Sequence, residues 1–174
     1  MHEHELKQFL LRGWMTHDAM WLKNAIEMVG IERANRLNRA AIRDMTPIEV
    51  QRVLAALGMG GVSSFAELKT FLTGAMGLLA GDYFHYRWWW DPADLLRVRV
   101  DECFAFKGLT RMGAIAGYQC GLLDRVYRWF DALGLDYAVS PAVEHCTMHH
   151  EGRCVREIQF TFSKDESVRS TCKP

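Results

Sequence analysis

Apolar side chains recur at three- and four-residue spacing through the first half of the chain, a pattern typical of amphipathic helices. The pattern runs to Gly30, which is a natural helix stop. We expect an interruption at Thr16, which could cap a second helix from His17, and a third helix from Ile31 to Met45. The apolar positions of the first two segments are Leu6, Phe9, Leu10, Trp14, Trp21, Ala25 and Met28.

Two later segments carry clearer helix starts. Thr46-Pro47-Ile48-Glu49 combines a capping residue, a proline at the first helical position and a glutamate three residues after the cap. Ser64-Phe65-Ala66-Glu67 has the same arrangement without the proline. The sequence predicts that a helix begins at each site, with the glycine-rich stretch 58–61 as a loop between them.

After Gly81 the pattern changes to that of β-strands. The stretches DYFHYRWWW and LLRVRVDECFAFKG are aromatic or alternating, and Asp91-Pro92 marks a turn between them. Leu96, Val98 and Val100 should face the opposite side of the second strand from its charged residues. A long amphipathic helix is expected from Thr110 to Leu133, followed by two final strands, the last of which reads CVREIQFTF.

These elements predict an α+β fold with an N-terminal helical layer packed on a C-terminal antiparallel sheet, built as hairpin, long helix, hairpin. We expect one domain over residues 1–162, with its helical part at 1–80 and the sheet with the long helix at 82–162. The last twelve residues, 163–174, are expected to form a frayed tail. A chain of 174 residues is long enough for one substantial core.

Composition excludes several classes of partner. The 21 basic and 21 acidic side chains balance, so no overall field favours nucleic acid or an anionic membrane. No apolar run approaches the length of a membrane span, and the first residues lack the basic start of a secretory signal. We therefore expect a cytoplasmic protein. In that compartment its five cysteines are expected as thiols or metal ligands instead of disulfides.

The stretch PAVEHCTMHHEGRC, residues 141–154, is the richest in possible metal ligands. If it forms a hairpin in which Cys146 lies opposite Cys154, residues 149–151 make a three-residue loop. Alternation then places Glu144 on the face of the two cysteines and His145 on the other face. Two opposed thiolates on one face can share a zinc ion.

Further donors come from other elements. Cys120 lies on the stripe of the long helix that should face the sheet, together with Asp124 and Tyr127. Cys103, at the end of a strand, is another candidate, although alternation turns it outward unless the strand ends or bulges at Glu102. Buried cysteines are also common as small hydrophobic residues, and a cross-strand pair can form a disulfide. Bound zinc is the interpretation that the grouping favours. The role of Cys172 is open.

These residues resemble the C-terminal half of the 4-vinyl-reductase-like ligand-binding domains, which include phenol-sensing input domains of bacterial activators. The resemblance rests on Cys120, a helix ending at Gly134, the sequence Glu144-His145-Cys146 and Cys154. It implies a zinc ion held by Cys120, Glu144, Cys146 and Cys154. The family usually has two residues between the glutamate and the cysteine, whereas only His145 separates them here. His145, Asp124 or Cys103 is therefore an alternative fourth ligand.

A second resemblance overlaps the first. CGLLD followed by two cysteines eight positions apart is similar to the L-2-amino-thiazoline-4-carboxylate hydrolase family, and residues 14–38 are similar to uncharacterised prokaryotic proteins with the same cysteine-rich tail. The first resemblance implies a zinc-binding domain that binds or senses a small aromatic or hydrophobic molecule. The second implies a zinc- or cysteine-dependent hydrolase of small C–N or C–S compounds. The candidate catalytic residues for that alternative are Cys120, Asp124, Glu144 and His145.

Ligand binding would require an apolar pocket between helices and sheet, and the chain is rich in aromatic residues. Most of these side chains would equally serve a core or a dimer interface. Because no DNA-binding motif accompanies the domain, a sensor would signal through a partner, and we expect a homodimer. The candidate pocket residues are Trp14, His17, Trp21, Trp88, Phe104, Phe106 and Tyr127.

Overall fold

The structure is a computed structural model that describes residues 1–162. The helical half of the protein consists of three helices. The predicted helix starts at His17 and Pro47 are both wrong, because each predicted cap lies inside a longer helix. The Thr16 hydroxyl donates to the Arg12 carbonyl at 2.8 Å, and the Thr46 hydroxyl donates to the Ile42 carbonyl at 2.6 Å. Both threonines thus bond back to the preceding turn. The helices are α1 (Glu3–Val29), α2 (Ile31–Leu57) and α3 (Phe65–Leu79).

The predicted cap at Ser64 is confirmed, since its hydroxyl accepts the Glu67 amide hydrogen bond at 3.3 Å. Gly30 and Gly58 close α1 and α2 as expected. None of the helices in residues 1–162 has the length and the apolar content that crossing a membrane requires.

The second half forms a four-stranded antiparallel sheet with short helices between its strands. The strand order is β1-β2-β4-β3. The strands are β1 (His85–Asp91), β2 (Leu95–Glu102), β3 (Asp136–Ser140) and β4 (Cys154–Thr161). The helices are α4 (Phe104–Arg111), a 3-10 turn (Ile115–Gly117), α5 (Gly121–Ala132) and α6 (Thr147–Glu151). The α+β class and the order of helices before sheet are confirmed.

The long helix predicted from Thr110 to Leu133 is wrong. Gly113 adopts φ +70° and ends α4, where the Ala114 amide bonds to the Leu109 carbonyl. The apolar spacing continues through the 3-10 turn into α5, so the pattern alone does not reveal the breaks. One consequence is that Cys120 lies at the start of a helix and not in its middle.

The hairpin predicted within residues 141–154 is also wrong. Residues 147–151 form α6, in which the His149 and His150 amides bond to the Cys146 carbonyl at 3.0 and 3.2 Å. β4 pairs with β3 on one side and with β2 on the other, so Cys154 lies opposite Val100 instead of Cys146. The predicted tail at 163–174 and Cys172 lie outside the described residues.

One face of the sheet packs on α3 and α5, and α2 lies behind them. The core between these layers includes Phe71, Trp129, Phe130, Leu96, Ile158 and Phe160. Leu96, Val98 and Val100 face inward and Arg97 and Arg99 outward, as predicted. A buried polar link joins α2 to α5, where Glu49 accepts hydrogen bonds from Arg125 Nε at 2.8 Å and Trp129 Nε1 at 2.7 Å.

α1 lies at the outside of the helical layer, and none of its residues is fully buried. Leu22 and Ile26 pack against a second, smaller core around Leu109, Ile115 and Tyr118. Many other apolar side chains of α1 remain exposed, including Phe9, Leu10, Trp14, Trp21 and Met28.

Candidate functional site

An apolar cavity lies between the inner face of the sheet and helices α3 and α5. Its volume is about 130 Å³. That size is comparable with an engineered apolar cavity of about 150 Å³ that binds benzene. The side chains from the sheet include Trp88, Val98 and Ile158, and those from the helices include Met76, Val126 and Trp129.

Aromatic rings form one end of this cavity. Tyr83 meets Phe104 edge to face with ring centroids 5.2 Å apart, and Tyr86 meets Trp88 in the same way at 5.1 Å. Such contacts fix the orientations of the rings. Gly81 allows the Tyr83 ring to lie against the backbone, because a Cβ there would stand 2.3 Å from that ring.

The structure brings two of the seven predicted pocket residues, Trp88 and Phe104, to this cavity. Tyr127 lines a separate, more polar cleft, and Phe106 packs in the second core. The three residues of α1 lie elsewhere. His17 and Trp21 are on the exposed side of the helix, and Trp14 borders a surface groove with Ile48 and Leu78.

Arg156 is the functional candidate that sequence reasoning missed. It is 1% exposed and borders the cavity from the middle of β4. Its Nη1 donates to the Thr147 hydroxyl at 3.1 Å and to the Val155 carbonyl at 2.8 Å. Its Nε and Nη2 are buried without a hydrogen-bond partner in residues 1–162. Strand alternation was the available signal, because it places residue 156 on the same face as Ile158 and Phe160.

Four thiols approach one another beside the cavity, each from a different segment. Cys103, Cys120 and Cys146 directly precede α4, α5 and α6, and Cys154 begins β4. Burial, together with smaller contributions from the charges of the other three thiols, raises the pKa of Cys120 to about 12. The four groups are therefore within electrostatic reach of one another.

The backbone explains why these segments meet. Residues 119 and 145 form an isolated β-bridge, and the Cys120 amide bonds to the Glu144 carbonyl at 2.7 Å. β2 ends at Glu102, so Cys103 leaves the strand alternation that would have turned it outward. Its sulfur instead accepts a hydrogen bond from the Phe106 amide at 3.5 Å.

Four thiols suit a metal ion that prefers thiolate ligands, and zinc is the first candidate. The arrangement does not fit an ion as it stands, because across residues 1–162 no three or more His, Cys, Asp or Glu side chains are grouped so that they could hold one. Burial raises the pKa of Cys103 and of Cys154 as well. Without a metal, the thiols of Cys103, Cys120 and Cys154 are neutral at pH 7.

The Glu144 carboxylate is engaged by Arg39 and Gln119. Its side chain is 60% exposed and forms an ion pair with Arg39 Nη1 at 2.9 Å. Gln119 Nε2 donates a hydrogen bond to it at 3.1 Å. Arg39 also lies 3.5 Å from the Asp124 carboxylate, which is itself 3.6 Å from Arg128 Nε. Glu144 and Asp124 thus belong to a polar cluster of paired charges, which lies at a cleft that Cys120 also borders.

The histidines of this region stand beside one another near the surface. The His145 ring meets the His150 ring edge to face at 4.5 Å, and His150 meets His149 at 4.9 Å. His149 and His150 are exposed, and His145 is half-buried. The four residues considered for catalysis therefore divide, with Cys120 in the thiol cluster, Glu144 and Asp124 in the polar cluster, and His145 in this group.

Comparison with known proteins gives one match. Residues 5–78 match the model of a family of unknown function (DUF6125). No curated protein and no solved structure matches the chain. The matched segment spans α1, α2 and nearly all of α3. It therefore contributes one helical wall of the cavity and none of the cysteines.

Proposed function

We propose that the protein is a small-molecule-binding domain whose ligand occupies the apolar cavity between the sheet and helices α3 and α5. The cavity itself is the observation that carries this proposal, since its wall is apolar and aromatic and its volume suits a single ring. A ligand there would contact the sheet through Trp88 and α5 through Val126. Sensing would follow if binding changes how α5 packs on α2.

A pocket-filling substitution tests this proposal. Val126→Phe places a ring in the cavity, and Val139→Phe makes the same change on β3, outside it. We expect single-ring compounds such as toluene and benzyl alcohol to raise the melting temperature of the wild-type protein and of Val139→Phe, but not of Val126→Phe. Equal shifts in all three proteins, or none in the wild type, would refute the proposal.

We further propose that the thiol cluster is a structural zinc site held by Cys103, Cys120, Cys146 and Cys154. The support is their shared burial and mutual proximity, together with the engagement of Glu144 by Arg39. Binding would require the four side chains to rearrange, because no group of three or more possible ligands in residues 1–162 is arranged to hold an ion. A bound zinc ion would cross-link the four segments that carry the cysteines. A zinc ion with four thiolate ligands has no open coordination position for catalysis.

Metal analysis of freshly purified, reduced protein tests the zinc proposal. We expect about one zinc per chain in the wild type, retained in Glu144→Gln and lost in Cys103→Ser. The opposite pattern would restore the ligand set implied by the family resemblance. Metal-free wild-type protein would rule out both ligand sets.

The hydrolase alternative has no comparable support in the geometry. A catalytic cysteine needs a lowered pKa, whereas burial raises that of Cys120 to about 12. The two candidate carboxylates, Asp124 and Glu144, are paired with arginines in the polar cluster.

A homodimer formed through α1 completes the proposal. A 27-residue helix without a fully buried residue, carrying several exposed aromatic side chains, is unusual for a monomer. Trp14, Ile48 and Leu78 border one groove and extend this apolar surface from α1 onto α2 and α3. A second copy of α1 offers the same apolar stripe, and the helix carries charges of both signs, with four acidic and three basic side chains.

A further inference from the structure

We infer that the ligand of the cavity carries an anionic group, a carboxylate in the first instance, and that Arg156 binds it. The inference rests on the proposed function, because it names the class of ligand for the same cavity. Two separate observations carry it, namely the incomplete hydrogen bonding of a buried arginine and the absence, within residues 1–162, of a carboxylate paired with it.

Arg156 is placed on the inner face of the sheet by the alternation of β4. Val98 of β2 lies opposite it, and Cys154 and Ile158 are its neighbours on the same face. An arginine at the centre of an apolar sheet face, 1% exposed, is costly unless an anion and full hydrogen bonding compensate for its lost hydration.

The protein supplies only part of that compensation. Thr147 and the Val155 carbonyl occupy Nη1, and both are neutral. Nε and Nη2 make no hydrogen bond of normal geometry within residues 1–162, where the neighbouring Tyr127 hydroxyl is neutral as well, and no carboxylate there forms an ion pair with this guanidinium. Nε and one Nη form the edge of a guanidinium that binds carboxylates with two parallel hydrogen bonds.

The second arginine at the cavity shows the contrast. Arg125 also borders it, but Glu49 already accepts hydrogen bonds from its Nε and Nη2. Its charge is thus matched within the protein, and it stays 28% exposed to water. Only Arg156, of these two, has an edge left for a ligand.

The size of the cavity limits the rest of the ligand. A volume of about 130 Å³ holds one aromatic ring or a short branched alkyl group, with the acid group directed at β4. Benzoate, phenylacetate and 3-phenylpropanoate span the possible distances between ring and carboxylate. Their primary amides have nearly the same shape and no charge.

Calorimetric titration of the wild-type protein with these acids and their amides tests the inference. At least one acid should bind about tenfold or more tightly than its amide, because a charge-assisted hydrogen-bonded pair is lost in the amide. Arg156→Met should reduce that ratio to about one, Arg156→Lys should keep part of it, and Arg97→Met, on the outer face, should leave it unchanged.

The alternative role of Arg156 is to balance the charge of a zinc–thiolate centre through Cys154. Metal content measured on the same samples separates the two roles. The inference is overturned if the wild-type protein binds no acid more tightly than its amide. It is also overturned if the Arg156→Met variant loses zinc but still prefers an acid to its amide. If toluene and benzyl alcohol bind in those cases, the proposed function stands. If neither they nor the acids bind, the proposed function fails too.

Discussion

Replacing Glu49 by glutamine should destabilise the protein far more than the same change in a surface ion pair. Glu49 is about one-tenth exposed in its side chain, and it accepts hydrogen bonds from both Arg125 and Trp129. Glutamine keeps one oxygen, which can still accept the Trp129 N–H. Its amide nitrogen, however, turns a donor toward the Arg125 guanidinium.

The magnitude follows from the bonds lost. Hydrogen bonds to a charged group contribute about 1.5–3 kcal/mol each. Arg125 is 28% exposed, so water recovers part of its solvation. We expect Glu49→Gln to lower the free energy of unfolding by about 2–3 kcal/mol.

Glu157→Gln is the matched control, since Glu157 and its partner Arg97 are both about half exposed with Nε and Oε1 2.9 Å apart. Exposed pairs contribute about 0–1 kcal/mol. Urea unfolding followed by circular dichroism measures both variants. If their unfolding free energies differ by less than about 0.5 kcal/mol, the buried link between α2 and α5 does not stabilise the fold as argued.

Three further changes test other parts of the structure. Pro47 lies exposed inside α2, so Pro47→Ala should raise the free energy of unfolding by about 1–3 kcal/mol, as measured by urea titration. A lower free energy of unfolding would indicate that the helix needs the proline. Gly121→Ala should destabilise the protein by about 1–3 kcal/mol although alanine favours helices, because its Cβ would stand 3.0 Å from Ile42 Cδ1 and 3.2 Å from the buried Tyr118 hydroxyl, besides meeting the Asn38 side chain. A gain in stability would contradict this close packing. Trp14→Lys should convert the dimer to a monomer, as measured by light scattering after size exclusion, whereas Trp89→Lys on the outer face of the sheet should leave it a dimer. If both variants remain dimers, the α1 interface is excluded.

Local patterns predicted the sheet better than the helices. Alternation in β2 fixed which side chains face the core, and the turn after Asp91 was confirmed. Helix continuity was not predictable from caps, because Thr16 and Thr46 have hydroxyls that can bond either to the following turn or to the preceding one. Tertiary packing of the surrounding helix decides between these two bonds.

The candidate site shows where sequence reasoning stops. Cys103 joins the other thiols because β2 ends and α4 begins at that residue, a change of element that no periodicity encodes. Glu144 is drawn away by Arg39, which lies more than a hundred residues earlier in the chain. Arg156 could have been predicted, since alternation places it among the core residues of β4, but an arginine in such a run is easily read as an irregularity.

The most direct test of the central claim is a titration with phenylacetate followed by the indole N–H signals of the six tryptophans in a ¹⁵N-labelled sample. The signals of Trp88 and Trp129, which line the cavity, should shift progressively and saturate, while those of Trp14 and Trp21 on α1 stay in place. Saturable shifts confined to Trp14 and Trp21, or no shifts at any indole, would contradict the account of a ligand site between the sheet and helices α3 and α5.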